Sequence, residues 1–387
     1  MKTRKNFRVL YLAPYSAKAY GAEEQDLESG WKLLQSMNDL DVYIIKFDLQ
    51  QNKIITELTN IEFQYKLGFR DKCTYLVNLF FTADNAMRQA YSFKNYEFIT
   101  KIIIDLGIDV IFTNTTSTVL FGNQKRAKHV FRSVSFEPVY VLKTVKNYFL
   151  AHIHSLLKLL SVFQELRADC IVAISPRDSK YYKISSIFTV KHKLSVIPLR
   201  QLAFHNTNKL KVKRNDDLNI GFMGSTYNVL HNRKSFDFIN EELNYDELNS
   251  QRIVVNIYGR KIPNSTADRV NLHIHNYVNN LTLIYQTNHV FLVPFFLSSG
   301  MQSKVFEPLF YGKILVCDPR VLAGYDFKPF VHYIPARTPE DFMQAINWIK
   351  RNRNKANQIG KNAMNYSSLL FSKKVFKSRL RLALDLD

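Results

Sequence analysis

The chain has 387 residues, 46% of them hydrophobic, and a formal net charge of +20 at pH 7. This length suits two domains, and this apolar content excludes a disordered chain because it can fill two cores. The positive charge favours an anionic partner, but it does not choose among a nucleotide, a nucleic acid and an acidic membrane surface.

The sequence also bears on where the protein works. No run reaches the ~18 apolar residues of a transmembrane helix, and the basic stretch at 1–8 lacks the apolar core of a signal peptide. The 3 cysteines are scattered, which is typical of buried thiols in a reducing compartment. We therefore expect a cytoplasmic protein that works in the cytosol or peripherally on the cytoplasmic membrane face.

Short apolar runs in the first half of the chain predict the strands of a parallel sheet. They lie at residues 8–13, 41–47, 109–113, 169–175 and 194–198. The first run leads into a loop with Gly21 and Ala22 and then into a helical pattern at 23–40. This glycine either lets the backbone approach a ligand or only caps the following helix. The small polar run at 114–118 follows a strand and is expected to face a cleft.

A basic segment at 125–167 contains a predicted amphipathic helix at 141–163. Lys143 and Lys158 fall on its polar side, whereas Phe149 and its apolar neighbours fall mostly on the other side. Such a helix suits an acidic bilayer surface, where apolar burial and charge attraction add. It suits equally a surface helix that covers a sheet. Of the two we favour peripheral membrane contact.

The polar, basic stretch at 201–217 predicts a linker to a second domain with the same strand and helix pattern. Its first strand runs into Gly224 and Ser225, which build a turn suited to a diphosphate, and its second strand ends at Gly259. Two histidines alternate on a later strand, but no carboxylate or cysteine is spaced to complete a metal site.

The segment 293–318 predicts a buried strand, a small-residue loop, a helix and a second strand. The loop with Ser299 and Gly300 is small enough for a ligand to approach the helix start, where Met301 and Gln302 follow. Unpaired amides and the positive end of the helix dipole make such a start an anion site.

Lys304 and Glu307 lie three residues apart on one face of this helix, one turn in. Lys304 is therefore placed to meet a phosphate, and Glu307 is placed to accept hydrogen bonds from sugar hydroxyls. The alternative is an amphipathic core helix on which the two side chains form a solvated pair.

The run from Gly300 to Glu307, followed by Gly312, Lys313 and an apolar strand, resembles the donor-site signature of GT-B glycosyltransferases of family 4. The resemblance implies an α/β protein of two Rossmann-like domains, with parallel sheets facing across a cleft and a C-terminal helix that crosses back to the first domain. It implies that the helix start holds the diphosphate of a nucleotide sugar, that Lys304 neutralises it and that Glu307 binds the ribose. Ser299 stands where many members carry a second glutamate, and we count it among the catalytic candidates.

Other segments resemble the same family. The segment from Arg132 to Glu137 resembles its interdomain segment, with Val134 in place of the usual histidine, which helps to position the donor sugar. On the acceptor side or in the cleft, the resemblance implies Gly21, Ala22, Arg132, Glu137 and Ser175. On the donor side, it implies Gly224, Ser225, Gly259, Val278, Gly300, Met301 and Gln302.

The resemblance also implies a division of the chain and an activity. Residues 1–200 would form an acceptor-binding domain, 201–217 a linker, 218–370 a nucleotide-sugar-binding domain and 371–387 the returning helix. The implied activity is transfer of a sugar from a nucleotide diphosphate sugar to an acceptor hydroxyl, with retention and without metal or other cofactor. The acceptor would be a glycan, a lipid-linked compound or a small molecule, as in cell-surface or lipid-linked glycan synthesis.

Three alternatives differ in class. A GT-B subunit could bind a nucleotide sugar or a partner without transfer, since Val134 and Ser299 replace two side chains that usually grip the sugar. The charge alone could serve nucleic-acid binding, but no recognisable motif or aromatic platform supports that. A sugar-nucleotide epimerase of the same architecture would need acid–base groups that the sequence does not place.

Overall fold

The structure is a computed structural model. It describes residues 6–15, 22–51, 53–58, 64–80, 82, 84–124, 126–145, 147–186, 193–204, 217–263, 269–278, 280–294 and 300–386.

The first domain is built on a seven-stranded sheet. Its strands are β1 (Phe7–Tyr15), β2 (Leu40–Asp48), β3 (Lys53–Thr56), β4 (Val110–Asn114), β5 (Lys128–Ser133), β6 (Cys170–Ala173) and β7 (Lys193–Val196). The order is β3-β2-β1-β4-β5-β6-β7, parallel except for β3. The helices are α1 (Ala22–Gln35), α2 (Phe69–Phe80), α3 (Asn85–Ala90), α4 (Phe93–Asp105), α5 (Val119–Gly122), α6 (Glu137–Thr144), α7 (Tyr148–Glu165) and α8 (Pro176–Ser185).

The second domain is built on a six-stranded parallel sheet of order β10-β9-β8-β11-β12-β13. Its strands are β8 (Leu218–Thr226), β9 (Ile253–Arg260), β10 (Leu272–His275), β11 (Val290–Val293), β12 (Ile314–Cys317) and β13 (Ile334–Pro335). The helices are α9 (Leu230–Asp237), α10 (Tyr245–Ser250), α11 (Leu281–Thr287), α12 (Ser303–Phe310), α13 (Pro339–Arg351), α14 (Arg353–Leu370) and α15 (Lys373–Leu384). Each sheet reverses its strand order once, beside β1 and beside β8, so each domain is doubly wound as predicted.

The C-terminal helix α15 packs back on the first domain. Lys377 Nζ donates to the carbonyl of Ser36 at 2.6 Å, and Arg381 pairs with Asp39 at 2.6 Å. Phe376 is 1% exposed in the same interface. The predicted return of the chain is therefore confirmed.

The predicted linker at 201–217 begins too early. Arg200–Phe204 form a 3-10 helix of the first domain, in which Gln201 and Leu202 are buried. These residues stay with the first domain because Leu202 is 0% exposed in its core. Residues 205–216 lie outside the described part of the chain.

The predicted single helix at 141–163 is also wrong, because α6 ends at Thr144 and α7 begins at Tyr148. The side chain of Asn147 accepts a hydrogen bond from the amide of Leu150 and so caps α7. An asparagine side chain competes with helical backbone bonds and therefore favours such a cap over a helix interior. No helix in the described residues is long and apolar enough to cross a bilayer.

Asp26 of α1 lies between two buried guanidinium groups. Asp26, Arg132 and Arg200 are 0%, 0% and 1% exposed. Arg200 Nη2 lies 2.8 Å and Arg132 Nη2 3.4 Å from Asp26 Oδ2. Gly30 makes room for this ion cluster, since a Cβ at that position would lie 2.3 Å from Arg200 Nη1. Burial alone would raise the pKa of Asp26, but Arg200 and then Arg132 outweigh it and hold the pKa below its ordinary value.

We expect Asp26→Asn to lower the free energy of unfolding by about 3–5 kcal/mol, because it leaves two buried cations without their anion. Urea unfolding followed by circular dichroism measures this change. The control is Asp237→Asn, which removes an exposed pair with Arg233 on α9 and should cost well under ~1 kcal/mol. A loss for Asp26→Asn no larger than the control's would contradict the importance of the buried cluster.

Candidate functional site

A cavity of about 520 Å³ lies between the two domains. Its walls come from the carboxyl ends of strands in both sheets and from the helices that follow them, the usual ligand position in doubly wound folds. The predicted site residues that line it are Glu137 from the first domain and Gly224, Ser225, Gly259, Val278, Gly300, Met301, Gln302, Lys304 and Glu307 from the second.

Lys304 is a buried cation on the cavity wall. It is 8% exposed and its Nζ donates to Asn232 Oδ1 at 2.7 Å, with the Phe222 ring centroid 5.0 Å away. No carboxylate of the described residues forms an ion pair with it. Burial lowers the pKa of Lys304 to about 7. An anion in the cavity would restore the charged form. The alternative of a solvated pair with Glu307 is not what the structure contains, because both side chains are buried.

Glu307 lies one turn further along α12 and is 1% exposed. The hydroxyl of Tyr285 on α11 donates to Glu307 Oε2 at 2.9 Å. Burial and then the carboxylate raise the pKa of Tyr285 well above its ordinary value, so this hydroxyl keeps its proton. Tyr285 therefore holds the carboxylate in one orientation on the cavity wall.

Gly224 and Gly259, which both line the cavity, bring two strand ends into contact. Gly259 has φ +147°, and a Cβ there would lie 2.1 Å from the carbonyl oxygen of Gly224. Only glycine fits at 259, because both its conformation and this approach exclude a side chain. The backbone of both loops is thereby open to a ligand.

Gly300 joins the two domains at the start of the α12 segment. Its φ is +75°, and its amide donates to both carboxylate oxygens of Asp178 on α8 at 3.2 Å. A Cβ at Gly300 would lie 3.3 Å from the carbonyl oxygen of Val134. The amide of Gly300 is thus engaged by a carboxylate in this structure, which leaves the anion-binding role of the helix start to the residues after it. Next to it, Met301 Sδ accepts a hydrogen bond from the amide of Leu199 at 3.3 Å.

The first-domain wall carries its own charge cluster. Glu137 Oε1 accepts a hydrogen bond from the Ser135 hydroxyl at 2.6 Å, and Glu137 Oε2 lies 3.7 Å from Lys158 Nζ. Lys158 also pairs with Asp84. All four side chains line the cavity, as do Thr115–Ser117 of the predicted polar run.

Two predicted cleft residues do not reach the cavity. Arg132 points into the core, where it donates to the carbonyls of Ile197 and Pro198 as well as to Asp26. Ser175 caps α8, with its hydroxyl oxygen accepting from the amide of Asp178 at 3.1 Å. The two corrections have different causes. The sequence places Arg132 at a strand end without giving the direction of its side chain, whereas Ser175 belongs to a helix-capping pattern with Pro176 and Asp178.

Three predicted site residues have no described side chain. Gly21 and Ser299 lie outside the described residues, and Ala22 begins α1 without a described side chain. No group of three or more His, Cys, Asp or Glu side chains that could hold a metal occurs among the residues that the structure describes.

Three residues that contact predicted site residues were not themselves predicted from the sequence. They are Asn232, Tyr285 and Asp178. Asn232 follows the predicted Gly224 loop closely in the sequence, and this proximity could have marked it as a candidate site residue. Tyr285 and Asp178 lie far along the chain from Glu307 and Gly300, which they contact. A contact between residues so far apart in the chain leaves no local pattern in the sequence.

Comparisons with known proteins support the fold. No protein-family model matches the sequence, and no curated protein matches it. A sucrose-phosphate synthase from Thermosynechococcus elongatus matches with a TM-score of 0.67 at 13% identity, over 98% of this chain and 99% of that chain. HepE from Anabaena in complex with UDP matches with a TM-score of 0.63 at 12% identity, over 98% and 100%. A glycosyltransferase from Rickettsia africae gives 0.63 at 13%, over 98% and 98%. Across nearly its whole length, the chain therefore has the GT-B fold.

Proposed function

We propose that this protein is a glycosyltransferase that moves a sugar from a nucleotide diphosphate sugar to an acceptor hydroxyl. The observation that carries the proposal is Lys304, a buried cation without an anionic partner among the described residues, on the wall of an interdomain cavity. Such a group is unfavourable when the cavity is empty and is stabilised by a phosphate. Because HepE, which has the same fold, binds UDP and UDP-glucose in its solved complexes, uridine nucleotides are the first choice of donor.

The proposed reaction breaks the bond between the anomeric carbon and the diphosphate oxygen and forms a bond from that carbon to the acceptor oxygen. The proton of the acceptor hydroxyl leaves with the nucleoside diphosphate. Lys304 and the amides that follow Gly300 would stabilise the charge that develops on the diphosphate, and such preorganised donors are worth several kcal/mol in a dry site. Glu307 would accept hydrogen bonds from the ribose.

The finer parts of the proposal rest on the family resemblance. It implies retention at the anomeric carbon, no metal, and an acceptor of the kind used in cell-surface or lipid-linked glycan synthesis. The polar wall with Glu137, Asp84 and Lys158 is the acceptor side in this proposal, because it faces the donor wall across the cavity.

A second candidate is a GT-B subunit that binds a nucleotide sugar without transferring the sugar. The observation in its favour is Val134, whose apolar side chain lines the cavity beside Gly300, where the family usually has a histidine. Acceptor-dependent release of UDP from a UDP-sugar separates the two candidates, because only transfer releases it at a rate that rises with acceptor concentration.

Thermal unfolding with a panel of nucleotide sugars tests the donor site. At a hundredfold excess over the dissociation constant, a true ligand should stabilise the protein by about 2.7 kcal/mol. Lys304→Met should lose most of this stabilisation, while the unliganded variant should be at least as stable as wild type because a buried cation is gone.

Lys313→Met is the matched control for that experiment. Lys313 is 2% exposed, and burial lowers its pKa to about 8, but it does not line the cavity. The control variant should keep the full response to the nucleotide sugar. Equal losses in both variants, or no response of the wild type to any nucleotide sugar, would contradict the assigned donor site.

Binding of a UDP-sugar should take up protons at pH 8. The pKa of Lys304 is about 7 in the free protein, so the amine is mostly neutral at pH 8, and a bound diphosphate should raise this pKa. Affinity should therefore fall as the pH rises above about 7, with uptake of close to ~1 proton at pH 8. Calorimetry in buffers of different ionisation enthalpy measures the uptake. Uptake that persists in Lys304→Met would assign the proton to another group.

Tyr285→Phe tests the role of Glu307. Loss of the hydroxyl that orients the carboxylate should weaken UDP binding about 10–150-fold, the effect of one hydrogen bond to a charged group of about 1.5–3 kcal/mol. Binding of pyrophosphate, which lacks the ribose, should not change. The control is Tyr245→Phe, which removes a buried hydroxyl that donates to the Ile239 carbonyl away from the cavity. Equal weakening of UDP and pyrophosphate would contradict the ribose assignment.

A further inference from the structure

Helix α7 turns an apolar face to solvent. Phe149, Ile153, Leu156, Leu160 and Phe163 recur at spacings of three and four residues and so share one side of the helix. They are 71%, 38%, 65%, 49% and 55% exposed. The structure therefore does not bury this side against the sheet. The helix packs on the first domain through its other side, where Ala151 and Val162 are buried.

The two charged side chains of α7 do not lie on this apolar side. Lys158 pairs with Asp84 and lines the cavity, and Glu165 is 1% exposed. Lys158, one of the two lysines predicted on the polar side, is therefore paired within the protein. What the helix offers outwards is a contiguous apolar surface, and such surfaces mark interaction sites, unlike single exposed apolar residues.

A second exposed apolar stripe lies on α2. Its members are Phe69, Leu76, Val77 and Phe80, which are 85%, 61%, 56% and 83% exposed. Exposed Arg70 and Lys72 lie on the same helix. The end of α7 lies near α2, because Arg167, just after α7, donates to Asn78 Oδ1 of α2 at 2.9 Å. We call the outer sides of α2 and α7 together the apolar face.

We propose that the apolar face docks on the surface of an anionic bilayer. Charge complementarity selects this occupant over a second copy of the chain, because each copy carries a formal +20 and like charges oppose association. An anionic bilayer attracts that charge, including Arg70 and Lys72 beside the stripe, and its interface takes up the aromatic and aliphatic side chains.

The position of the face suggests the class of acceptor, a step that rests on the proposed function. Lys158 belongs to the same helix as the exposed side chains, yet it lines the cavity opposite Lys304. Docking through α7 therefore holds the acceptor wall of the cleft next to the bilayer interface. The acceptor hydroxyl would belong to the head group of a membrane-anchored lipid.

Vesicle co-sedimentation tests the docking. The full chain should sediment with vesicles of phosphatidylglycerol and phosphatidylcholine, less with phosphatidylcholine alone, and less again at high salt. Leu156→Glu/Leu160→Glu should weaken binding at least about tenfold, because two charges would enter the interface. The matched control is Val270→Glu/Leu369→Glu, which adds the same charge at exposed apolar positions of the second domain, 86% and 71% exposed; it should bind as wild type does.

Stabilisation by a UDP-sugar, measured on the same variants, shows that they are folded and separates the two proposals. Vesicle binding without any nucleotide-sugar response would support docking and overturn the proposed function, and the reverse result would overturn docking. Equal vesicle binding by both double variants would also overturn it. So would a dimer in light scattering that Leu156→Glu/Leu160→Glu dissociates, because the face would then bind a second copy or another protein surface.

Discussion

The ion cluster of Asp26, Arg132 and Arg200 is the constraint on which the arrangement of the first domain depends. A buried carboxylate between two buried cations is costly to form and more costly to break, so the elements that carry these residues are fixed relative to one another. Those elements are α1, the end of β5 and the segment after β7. Arg132 also binds the Ile197 and Pro198 carbonyls, and the next amide, that of Leu199, meets Met301 of the second domain. The cluster therefore sets where the chain leaves the first domain and where the α12 segment meets it.

In the second domain, the buried side chain of Lys304 is bonded to a neutral group. Its only described hydrogen-bond acceptor is the neutral amide of Asn232, so burial lowers its pKa and no carboxylate of the described residues compensates. A protein can keep such a group where a ligand supplies the missing charge, since the binding energy then offsets the desolvation. The glycines at 224 and 259 serve the same end, because they keep side chains out of the space that the ligand would take.

The sequence could predict the parts of this arrangement that have local patterns. Apolar runs predicted most strands of both sheets. Glycine loops and the spacing of Lys304 and Glu307 predicted most of the residues that line the second-domain wall of the cavity. It could not give side-chain direction or pairing over long separations, which is why Arg132 was expected in the cleft and Asp26 was overlooked. Ser175 is a different case, because Ser-Pro followed by an acid is itself a capping pattern that favours a structural role. The break at Asn147 was likewise readable as a cap, but the apolar periodicity on both sides concealed it.

The two walls of the cleft differ in how their charges are compensated, and this difference supports the roles proposed for them. On the first-domain wall, Lys158 lies between Asp84 and Glu137, and in the core of the same domain Arg132 and Arg200 share Asp26, so each of these cations already has an anionic partner within the protein. On the second-domain wall, the charge of Lys304 is not balanced by any described carboxylate. An anionic ligand gains most where the protein has not already paired the cation, which is why we propose that anion recognition belongs to the second domain. It follows that substitutions in the first-domain cluster change stability first, whereas substitution of Lys304 changes ligand affinity first.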